Sequence, residues 1–137
     1  MADALAVFMR WLHISSVALL IGGLLYGRLA LKATSETLAP EAVDKLGDSA
    51  AALFRPRVVA AIIALLISGI YNILTTPGHT TRYHIWLAIK LLLVLHVFAS
   101  AFLSTRPGNP RRGRMMASAA LSGLIIILIS AFLRRIF

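Results

Sequence analysis

Residues 11–32, WLHISSVALLIGGLLYGRLALK, come close to crossing a bilayer as one helix, yet carry an imidazole inside their apolar run. A hydrocarbon core takes roughly 20 apolar residues of helix. Lipid offers no partners for backbone N–H and C=O groups, so such a run has to satisfy them internally as a helix. An ionisable side chain at that depth is costly and marks a functional site. His13 is therefore the residue that the fold has to accommodate.

Three more apolar runs follow, and together they give spans at residues 5–31, 58–75, 83–104 and 115–133. The joints after the second and third are short and rich in Pro and Gly, which forces antiparallel neighbours. The expected fold is all-α: one integral membrane up-and-down four-helix bundle over residues 1–137. Between the first two spans, Pro40 and Glu41 offer a helix start, and Val43, Leu46, Ala50 and Leu53 recur at amphipathic spacing. A short interfacial helix is expected there, with Arg55, Pro56 and Arg57 breaking the chain before span two. The first segment is longer than the apolar region of a signal peptide and lacks a convincing cleavage pattern, so it is expected to stay as a span.

Composition agrees. A hydrophobic fraction of 59% is more than a soluble domain of 137 residues can bury. The net charge of +9 does not indicate nucleic acid, because the basic residues cluster at the ends of apolar runs without interleaved aromatics. They act as topology signals. Arg28, Lys32, Lys45, Arg55, Arg57, Arg106, Arg111, Arg112 and Arg114 fall on one side, against Arg10, Arg82, Arg134 and Arg135 on the other. The richer side is expected to be cytoplasmic, which puts both termini outward in a bacterial-type inner membrane. Without cysteine the chain has no disulfide, no thiolate metal site and no covalent c-type haem attachment. Any haem is held through His.

Polar groups from all four spans share one layer. With span one starting near Leu5, His13 lies roughly 12 Å below the outer boundary, and Lys90 on span three roughly 10 Å. Ser68, Tyr71, Asn72 and Thr75 form one stripe on span two, and Ser130 and Arg134 belong to the same half of span four. Lipid does not solvate such groups, so they are expected to face inward. Lys90 either snorkels to the headgroups or serves the site, pairing with a ligand carboxylate such as a haem propionate or moving protons. Gly23 and Gly27 continue the His13 line, and Ala119 and Gly123 mark a similar one on span four. Such lines let helices pack closely or leave room for a flat cofactor. His96 lies about 20 Å down and is rotated about 240° from Lys90. It is a ligand of a second centre, a partner for a neighbouring helix, or a packed imidazole. His79 and His84 sit at the outer surface beside Tyr83 and Trp86, an interfacial aromatic belt, as solvated side chains or as metal ligands.

Trp11, Leu12, His13, Gly23, Leu24, Leu25, Tyr26, Arg28 and Leu29 resemble the first helix of the HemJ-type protoporphyrinogen oxidases. Trp86, Leu87, Lys90, Leu91 and His96 are similar to that family's third helix. Ser68, Gly69, Ile70 and Tyr71, with Thr75, Thr76, Lys90 and Leu91, resemble the related copper-resistance-D (CopD) domain about as well. The HemJ resemblance implies b-type haem on His13 and a functional cation at Lys90; the CopD resemblance implies a part in copper uptake.

The function expected first is a b-type haem protein of the membrane, an electron carrier or a subunit of a redox complex. Its partners would be the lipid bilayer and either other redox subunits or further copies of itself, and not nucleic acid. Copper transport stands beside it, with His13, His84 and His96 as metal ligands and Met9 one turn from His13. So do porphyrinogen oxidation, with Lys90 as the catalytic residue, and a plain helical accessory subunit.

Overall fold

The structure, a computed structural model, describes residues 2–75 and 80–133. Four helices account for nearly all of them: α1 (Ala2–Thr37), α2 (Pro40–Thr75), α3 (Thr81–Ser104) and α4 (Arg112–Leu133). Each is long and apolar enough to cross a membrane, so this is a multi-pass membrane protein. The helices pack as a ring. α1 lies against α2 and α4, α3 lies most extensively against α4, and α2 and α3 touch least of the neighbours around the ring.

The boundaries follow local chemistry. α1 ends as Leu38 N–H bonds back to Thr34 C=O, and two residues later Pro40 opens α2, where its missing donor costs nothing. Thr80 caps α3, its hydroxyl accepting from Tyr83 N–H at 3.2 Å. Gly108, at φ +66°, turns the joint between α3 and α4 through a left-handed conformation that suits glycine. Asn109 then holds the joint, donating from its amide to Leu103 C=O at 2.8 Å while its oxygen accepts from Arg111 N–H.

One expectation needs correcting. The segment starting at Pro40 is helical, but it is not a separate interfacial helix: α2 runs unbroken through Pro56 into span two. Proline removes one helical hydrogen bond without ending the helix when the flanking turns are held. The bond lost at Pro56 is the one to Ala52 C=O; beside it, Arg57 reaches back with its guanidinium to Leu53 C=O at 2.6 Å. At about 1.5 Å per residue, α1 and α2 are each about 54 Å long, well beyond a hydrocarbon core of about 30 Å.

The core is made largely of small and branched side chains. Leu20, Leu24, Val58, Ala61, Val97, Ala101, Ala119 and Ala120 form its centre, with Phe54 and Phe98 packed against it. Ala101, Ala119 and Ala120 let α3 and α4 approach closely. A smaller cluster of Tyr83, Ile129 and Leu133, backed by Trp86 and Leu87, closes the Thr80 end of the same pair. The outer surface is apolar as well, with Leu92, Leu128 and Leu74 about 70% exposed or more, as a lipid-facing surface is.

Candidate functional site

His13 and Ser68 meet. α1 presents the imidazole and α2 the hydroxyl, with His13 Nδ1 2.9 Å from Ser68 Oγ. Ser68 is fully buried, and its oxygen also lies 2.7 Å from Ala64 C=O, one turn back on α2. A hydroxyl has a single hydrogen. Two oxygens at 2.7 Å need that hydrogen between them, so Ser68 donates to Ala64. It therefore accepts from His13, and Nδ1 carries the ring proton. That assignment leaves Nε2 with an unshared pair. A histidine held through Nδ1–H in this way has the tautomer and the fixed ring plane of a metal or haem ligand.

Lys90 on α3 is half-buried and near enough to His13 for its charge to act at the imidazole. Gly69 lies beside the ring: a Cβ added there would stand 3.9 Å from His13 Cε1, the carbon between the two nitrogens. Tyr71 and Asn72 are half-buried on the next turn of α2. The layer expected from matching depths thus joins α1, α2 and α3. Arg134, expected to contribute from span four, lies outside the described residues, as do His79 and the turn at residues 76–79.

His96 does not join this layer. It is exposed, and its Nε2 lies 3.0 Å from Ser118 Oγ on α4. Of the three readings open for it, the structure has the bond to a neighbouring helix. His84 is exposed at the start of α3, its ring edge-on to Tyr83 with centroids 5.9 Å apart. His13, His84 and His96 are therefore not gathered, and among the described residues no three His, Cys, Asp or Glu side chains are placed to hold a metal ion.

The lines of small residues are filled. The Phe54 ring lies over Gly23, the Met116 methyl over Gly27 and the Ile21 side chain over Gly123. In each case an added Cβ would collide, so these positions are sockets for a neighbour's side chain. They leave no slot for a flat cofactor, and any ligand of His13 has to approach elsewhere.

A second polar centre was not visible in the sequence. Arg112, buried where α4 begins, donates from Nε to Ser104 C=O at 2.9 Å and from Nη2 to Arg106 C=O at 2.8 Å. The same Nη2 meets Asp48 Oδ1 at 2.7 Å, and Gly108 N–H adds a bond to that oxygen. Asp48 lies on α2 about 15 Å before Val58, outside the apolar part of the helix. The Arg112 bond, and after it the one from Gly108, holds its carboxyl below the usual carboxylate range. Asp48 shares its stretch of chain with Glu36, Glu41 and Asp44, and 64 residues separate it from Arg112, so nothing in the sequence singles out this pair. No family model, curated protein or solved structure matches the chain.

Proposed function

We propose that this chain is a b-type haem protein of the membrane that carries electrons, alone or within a larger redox complex, with His13 as the axial ligand. One observation supports this above the others: Ser68 Oγ accepts a hydrogen bond from Nδ1–H, so His13 offers Nε2 from a ring whose orientation is fixed. The residues fit a haem in two further ways. Lys90 supplies a cation in the same layer for a propionate, and Tyr71 and Asn72 add polar groups on the next turn of α2. A bound haem would supply a one-electron couple tuned by its axial ligand and the dryness of its surroundings. Since His96 bonds Ser118, the proposal is for one histidine ligand from this chain.

The test is a visible spectrum of the protein purified from cells with ample haem, before and after dithionite. A Soret band lost in His13→Ala is the expected result; a colourless, porphyrin-free preparation would sink the proposal. The charge of Lys90 beside His13 also favours a second reading, in which the same pair handles protons in HemJ-type porphyrinogen oxidation. Growth of a strain lacking protoporphyrinogen oxidase on this gene would decide for it, and failure by well-expressed protein would remove it.

A further inference from the structure

The joint between α3 and α4 borders a cleft of about 530 Å³, lined by Leu103, Arg106, Pro107, Asn109 and Met115. That volume falls in the range of small-ligand sites. Its walls differ in kind. Leu103 belongs to the last turn of α3 and Met115 to the first turn of α4, both apolar, whereas Arg106 and Asn109 stand on the polar joint. The cleft therefore spans the level at which apolar helix gives way to polar chain, where the phosphates of a bilayer lie.

Its charge is uncompensated. Asp48, the acid that reaches this joint, is already engaged by Arg112 and Gly108. Arg106, Arg111 and Arg114 are exposed, and among the described residues none of their guanidinium groups has an acceptor. Asn109 is committed to Leu103, Met115 and Arg111, so it shapes the cleft and leaves Arg106 to bind. A planar guanidinium is well matched to phosphate oxygens.

We propose that this cleft is a site for the phosphate of an anionic phospholipid, gripped by Arg106 with Arg111 and Arg114 beside it and an acyl chain along Leu103 and Met115. A free phosphate shares the anionic end of this chemistry, but only a lipid uses the apolar wall. The site is independent of any haem at His13.

The test is native mass spectrometry of the full chain released from nanodiscs of phosphatidylcholine mixed with phosphatidylglycerol. One retained phosphatidylglycerol per chain is expected, with retention falling about fivefold in Arg106→Gln. Arg57→Gln, a change at the same end outside the cleft, should leave retention unaltered. Equal retention of the two lipids, equal loss in both variants, or undiminished retention in Arg106→Gln would each overturn the proposal. Displacement of the lipid by millimolar inorganic phosphate would overturn it in favour of a free anion. Because Arg106 is exposed, its loss should leave helicity unchanged, and Arg111→Gln repeats the measurement from the neighbouring position.

Discussion

At the scale of single residues, the hydrogen on Ser68 decides what His13 does. With that hydrogen directed at Ala64, Ser68 accepts from Nδ1–H and leaves Nε2 as the nitrogen open to a ligand. Ser68→Ala removes the acceptor and frees the ring to turn; for a haem ligand, the loss of such a partner lowers affinity by roughly 10- to 100-fold. Haem retention during purification of Ser68→Ala, compared with wild type, measures it. Asp48 gives a pH prediction. Its carboxyl is held below its usual range in the folded state, so its contribution to stability is fully present above the ordinary aspartate value near about 3.9. That contribution is lost as the pH falls through the lower folded-state value. The thermal midpoint should decline below about pH 4, and Asp48→Asn should flatten that part of the profile. Arg112→Ala should cost about 2 kcal/mol, through its bonds to the Ser104 and Arg106 carbonyls, read as a lower midpoint at neutral pH.

Among elements, the sockets on α1 and α4 set how near the helices come. Ile21 already fills the space over Gly123, so Gly123→Leu should destabilise by about 1–3 kcal/mol through overpacking. Thermal unfolding in detergent, followed by loss of helicity, would register the change. The helices themselves were legible in the sequence because twenty apolar residues leave the backbone no alternative. The meeting of His13 and Ser68 was legible too, since depth along a straight helix is fixed by counting. What a glycine line holds was not, because Phe54, Met116 and Ile21 show in the sequence as ordinary core residues with no sign of which groove each fills. Pro56 misled for a related reason. A proline inside a helix removes one bond, to Ala52 C=O here, and whether the helix ends or continues past it is decided by tertiary packing rather than by a local pattern.

Across the whole molecule, the basic residues gather at the end that holds the α3–α4 joint, and Thr80 marks the opposite end. If the positive-inside rule sets the topology, a single cysteine at Thr81 should react with a membrane-impermeant thiol reagent from outside the cell, and one at Pro107 only after lysis. The chain has no cysteine of its own, so each label reports one site. The excess length of α1 and α2 bears on more than topology. Both exceed the length a hydrocarbon core of about 30 Å requires, and the tip of that hairpin lies about 36 Å along α1 from His13. These two helices also carry the two halves of the 2.9 Å contact between His13 and Ser68. Sliding one helix against the other by about 2 Å would carry it beyond hydrogen-bond range. Any displacement of the hairpin tip that shifted α1 along α2 would therefore be felt in the ring's hydrogen bond.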